Sequence, residues 1–111
     1  MELLTEERCF ISEWLRPSAD RDLSIARARV APGVTTRWHV LDGVAERYLV
    51  LEGAGRAEVG ESLVADVGPG DIVLIPPGAR QRIENTGAED LVFLALCTPP
   101  FEQAAYRDAE P

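Results

Sequence analysis

The sequence contains no lysine, and all 11 basic residues are arginine. That absence excludes Schiff-base catalysis and a P-loop lysine on this chain. Histidine is almost as scarce. His39 stands alone, so a nucleophilic triad would have to be built on that one imidazole. Two cysteines, Cys9 and Cys97, lie near opposite ends with no CxxC between them. They do not make a disulfide framework, and a reducing, cytoplasmic setting is expected. No apolar run approaches the length of a membrane span. Met1 to Arg8 is acidic and lacks an apolar h-region, so no signal peptide is expected. Basic excess is missing too. The net charge is −8, which argues against a nucleic acid or an anionic membrane as partner. At 111 residues the chain is expected to be one domain. A domain of this size buries a limited share of its surface, so a homodimer is expected.

Turn signals, by contrast, are plentiful and regularly spaced. Pro32-Gly33, Asp42-Gly43, Gly53-Ala54-Gly55, Gly60-Glu61, Pro69-Gly70, Pro77-Gly78 and Thr86-Gly87 divide the chain into short segments rich in Val, Ile and Leu. Short apolar segments between such turns predict an all-β sandwich or barrel. The predicted strands are Cys9–Leu15, Leu23–Val30, Thr36–Leu41, Glu46–Leu51, Arg56–Val59, Leu63–Val67, Ile72–Ile75, Arg80–Glu84 and Leu91–Cys97. Glu2–Glu7 reads as a possible helical turn. The tail from Pro99, with Phe101 and Tyr106, is expected to lie across the barrel or a partner subunit.

Asp42-Gly43 is a two-residue hairpin signal. Taken as the hairpin loop, it sets His39 opposite Glu46, Trp38 opposite Arg47 and Arg37 opposite Tyr48. Alternation then puts Arg37, His39 and Leu41 on one face with Glu46, Tyr48 and Val50. If that face is the interior, the buried Glu46 must be paired, metal-bound or protonated. If it is the exterior, His39 and Glu46 form a surface pair of little consequence. Arg37 has two readings: a guanidinium clamp for a substrate carboxylate, or a structural tie to Glu52 or a terminal acid. Tyr48 either offers its phenol to a substrate or packs in the barrel. Trp38, Val40, Arg80 and Arg82 alternate to the opposite face.

These residues fall into a pattern that resembles the cupin family. The family's first motif is G-x5-H-x-H-x4-E-x6-G. Gly33, His39, Glu46 and Gly53 match it with every spacing kept. The second motif is G-x5-P-x-G-x2-H-x3-N, matched in the same way by Gly70, Pro76, Gly78 and Asn85. The resemblance implies an all-β, cupin-type jelly-roll β-barrel (a double-stranded β-helix). It would form a single domain over residues 1–111, with a barrel core over about 23–97 and a C-terminal tail over 98–111.

The resemblance also implies a metal site of three histidines and a glutamate. Here Leu41 stands at the second histidine position and Gln81 at the third. The implied ligand set is therefore His39, Glu46 and Gln81. It would hold a divalent ion (zinc, nickel, manganese, iron or copper) with water at the open positions, more weakly than three histidines would. The 2-His-1-carboxylate triad of iron oxygenases is absent. Two functions follow. One is a metal-dependent enzyme of isomerase, lyase or oxygenase type, with Arg37 and Tyr48 binding a small organic substrate. The other is a metal-free small-molecule binder or sensor, in which Gln81 satisfies Glu46 or His39.

Overall fold

The computed structural model describes residues 1–111. Eleven strands form in chain order: β1 (Leu3–Leu4), β2 (Phe10–Leu15), β3 (Ser24–Val30), β4 (His39–Leu41), β5 (Ala45–Glu52), β6 (Gly55–Val59), β7 (Leu63–Val67), β8 (Ile72–Ile75), β9 (Arg80–Asn85), β10 (Leu91–Thr98) and β11 (Tyr106–Asp108). They assemble into a six-stranded sheet, β1-β2-β3-β10-β5-β8, and a five-stranded sheet, β11-β4-β9-β6-β7. Every predicted strand appears, most within a residue of its expected ends. Leu3–Leu4 pairs with β2 rather than forming a helical turn. Thr36–Leu41 contracts to three residues, because 36–38 run irregularly into the strand.

Period-two burial sorts the faces. Along β5, Glu46, Tyr48 and Val50 are buried and their neighbours are not. Along β9, Gln81, Ile83 and Asn85 alternate in the same way. The inward apolar residues of both sheets meet in one core, where Val30, Ile83 and Leu91 are wholly buried. Burial of such side chains stabilises the sandwich by roughly 1.5–3 kcal/mol each.

One expectation is corrected. Asp42-Gly43 does form a turn, with Gly43 at φ 73°, but it joins the two sheets instead of closing a hairpin. Each strand has two edges, and here all four are taken. The edges of β4 pair with β9 and β11, and those of β5 pair with β10 and β8. The cross-strand partners of His39 are Gln81 and Asp108, and those of Glu46 are Cys97 and Ile75.

Several motif residues serve the backbone. A Cβ at Gly53, where φ is 87°, would lie 2.5 Å from the carbonyl oxygen of Asp90, so only glycine fits. Asn85 is buried and makes three hydrogen bonds: Nδ2 donates to Val30 O at 2.9 Å and Glu89 O at 2.8 Å, and Oδ1 accepts from Gly87 N at 2.8 Å. It ties the loop after β9 to β3.

Candidate functional site

The space between the sheets exists because inward positions on β3 and β10 are small. Ala26 pairs with Ala95, and Ala28 pairs with Phe93. Ala95 in turn sits beside Tyr48. With alanines where larger side chains would fill the core, a cavity of about 470 Å³ remains, within the usual size range of small-molecule pockets. The barrel supplies His39, Leu41, Glu46, Tyr48, Phe93 and Cys97 to its wall. The N-terminal segment adds Glu7, Cys9 and Ile11, and the tail adds Phe101 and Tyr106. Glu6, Glu13 and Gln103 line it while remaining exposed, which marks its open end.

His39 and Glu46 therefore meet the same cavity, though from opposite sheets rather than across a hairpin. His39 is 3% exposed and Glu46 7%. The Nδ1–H of His39 donates to the carbonyl of Arg37 at 2.9 Å. In the neutral ring this leaves Nε2 as the acceptor. Nδ1 also lies 3.7 Å from Oε2 of Glu7, and the ring stacks on Tyr106 with centroids 5.3 Å apart. Glu46 is supported more weakly, by the nearby His39 and by the side chains of Gln81 and Cys97. Its Oε1 is buried without a hydrogen-bond partner. Burial pushes the carboxyl up to about 7, opposed chiefly by His39. Burial likewise raises Glu7, again opposed by His39.

Gln81 is fully buried but does not line the cavity. Its Oε1 accepts a hydrogen bond from the phenol of Tyr48, so the amide is held behind that ring. Burial raises Tyr48 well above the usual phenol range, and the ring leans on Phe93 at 4.4 Å. Cys9 and Cys97 both line the cavity, and burial pushes each thiol up to about 12. They are protonated at neutral pH and poor nucleophiles. No three His, Cys, Asp or Glu side chains are grouped to hold a metal ion.

Arg37 is not on the pocket side. It precedes the regular strand, so alternation does not govern it, and its guanidinium reaches Asp108 in the tail at 3.0 Å. The tie to a terminal acid is what forms. Trp38, Arg80 and Arg82 face away from the cavity as expected, with both guanidinium groups stacked on the indole at 4.2 and 4.3 Å. The residues that sequence reasoning missed come from the two ends of the chain. Glu7 carried no motif signal. Phe101 and Tyr106 read as lid or interface residues, and both in fact line the cavity.

With the geometry in hand, the Cupin domain family matches residues 26–97. The chain belongs to the cupin family. An uncharacterized protein of Methanocaldococcus jannaschii is 32% identical over 100 residues, covering 88% of this chain and 79% of that protein. A Klebsiella pneumoniae protein with a double-stranded β-helix domain superposes with a TM-score of 0.81 at 22% identity, over 96% of this chain and 89% of that one. A Thermotoga maritima protein described as a predicted oxalate decarboxylase gives a TM-score of 0.75 at 28% identity, over 82% and 80%. This cupin thus has the double-stranded β-helix architecture, and no helix in it is long and apolar enough to cross a membrane.

Proposed function

We propose that this cupin binds a small organic molecule in the cavity between its sheets and does so without a resident metal ion. The observation that carries the reading is Glu46: it lines the cavity, and its buried Oε1 has no partner. A ligand that supplies a hydrogen bond there would satisfy a group that is costly to leave alone.

The residues present do not fit the metal that the family implies. Leu41 offers no donor atom. The oxygen of Gln81 is engaged by Tyr48 behind the cavity wall. Of the family's ligand positions only His39 and Glu46 keep a strong donor, and no third His, Cys, Asp or Glu is grouped with them to complete the three protein ligands that a water-completed site uses. The anion named for the Thermotoga relative does not carry over easily either, because no arginine lines this cavity.

Elemental analysis after expression with divalent metals supplied, together with ligand-dependent melting, tests the reading. We expect well below one ion per chain, unchanged in His39→Ala. Small organic ligands should raise the melting temperature, and Ala95→Leu, which fills the cavity, should abolish that rise. About one ion per chain, lost in His39→Ala, would instead establish a metal centre on His39, Glu46 and Gln81.

A further inference from the structure

We propose that the ligand of this pocket is a small organic cation, an amine whose ammonium group meets Glu46 and whose apolar body packs on the aromatic wall. The proposal rests on the small-molecule-binding reading above and adds the charge class of the ligand.

The argument starts from what lines the cavity. Four carboxyl groups do so, from Glu6, Glu7, Glu13 and Glu46, and His39 is the only basic side chain among them. The chain has no lysine, and its arginines are turned elsewhere. Arg8 adjoins Glu7 and Cys9 in sequence, yet it reaches out to Glu110 at 2.8 Å. Arg37 adjoins Thr36 and pairs with Asp108 at 3.0 Å. Arg107 follows Tyr106 and pairs with Asp42 at 3.2 Å. Arg47 stands between Glu46 and Tyr48 but bonds Thr98 on the outer face. Cations that could have neutralised the cavity from neighbouring positions are thus spent on carboxylates and hydroxyls outside it.

An anionic ligand would enter a low-dielectric space beside carboxyl groups with no guanidinium to pair with, which is strongly unfavourable. An ammonium group has the opposite balance. Glu46 is more than nine-tenths buried, lines the cavity and keeps Oε1 free of any partner. A charge-assisted N–H bond to that oxygen is of the strong kind. Tyr48, Phe93, Phe101 and Tyr106 also line the cavity, and aromatic rings attract cations. At the open end Glu6 and Glu13 are exposed. With the net charge of −8, they favour the approach of cations and disfavour that of anions.

Matched ligands that differ only in charge test the proposal. Phenethylamine, phenethyl alcohol and hydrocinnamate share one ring and one spacer; cyclohexylmethylamine, cyclohexylmethanol and cyclohexaneacetate make a second set. Each is titrated by calorimetry at about pH 8, where the amines are charged. In at least one set the amine is expected to bind about tenfold or more tightly than its alcohol, with the carboxylate weakest. Glu46→Gln should remove that advantage while alcohol binding persists, which shows that the variant is folded. Equal or tighter binding of the carboxylate overturns the proposal, as does an amine preference that survives Glu46→Gln, or no amine binding up to about 10 mM. If an alcohol or carboxylate binds without amine preference and Ala95→Leu abolishes it, only the charge class fails. About one metal ion per chain fails the underlying reading instead.

Discussion

Replacing Glu46 by glutamine should flatten the pH dependence of folding stability. The carboxyl rises from an ordinary value of 4.5 to about 7 in the folded protein, chiefly because it is buried. A rise of about 2.5 pH units corresponds to about 3–4 kcal/mol at 1.4 kcal/mol per unit. Because the folded value lies above the unfolded one, this contribution is fully present below about pH 4.5 and is lost as the pH rises through about 7. Titrating both states puts most of the loss, about 2–3 kcal/mol, between about pH 5 and pH 8. Urea unfolding, followed by fluorescence of the buried Trp38, measures it at those two pH values. Wild type should lose that amount relative to Glu46→Gln, so that the variant is the more stable protein at the upper pH. Glu7 is raised in the same direction, so some pH dependence will remain in the variant. Parallel pH dependence in the two proteins would refute the claim that burial raises the Glu46 carboxyl.

Two further substitutions separate the wall of the cavity from its scaffold. Tyr48→Phe removes the donor to Gln81, whose amide is wholly buried. It should cost about 1–3 kcal/mol in urea unfolding, and an unchanged midpoint would mean that Gln81 finds another donor. Asn85→Ala deletes three hydrogen bonds around the loop after β9 and should cost about 2–4 kcal/mol. Asn85 does not line the cavity, so phenethylamine affinity, measured below the melting transition, should stay within about twofold of wild type.

Much of the barrel was legible in the sequence because its signals are local. Turn glycines and prolines punctuate it, and period-two burial in segments such as Glu46–Val50 marks the inner face. The hairpin that would pair His39 with Glu46 does not form. Asp42-Gly43 has the chemistry of a hairpin turn, but turn chemistry cannot reveal which strands compete for an edge, and β9 and β11 occupy both edges of β4. The two residues share the cavity because both face inward, a property that alternation captured independently of pairing. Arg37 escaped that logic because it lies where the backbone is not yet a strand. Glu7 and Tyr106 were illegible for a different reason. They reach His39 from opposite ends of the chain, and no local pattern encodes a contact made only when the termini fold over the barrel.

The two departures from the family motif explain one another through charge. In the site that the resemblance implies, a metal ion offsets the carboxylate at the position of Glu46. Leu41 and Gln81 remove two of the imidazoles that would hold such an ion, yet Glu46 is retained, buried and without a partner on Oε1. Loss of the site alone would favour an apolar or amide side chain there, because a lone buried carboxyl lowers stability above its pKa. Gln81, by contrast, is satisfied, since its amide oxygen accepts from the phenol of Tyr48. Retaining the acid beside a cavity without arginine makes sense if the compensating charge arrives with the ligand. On the proposed reading, the cavity binds most strongly the molecules that bring a positive charge to Glu46.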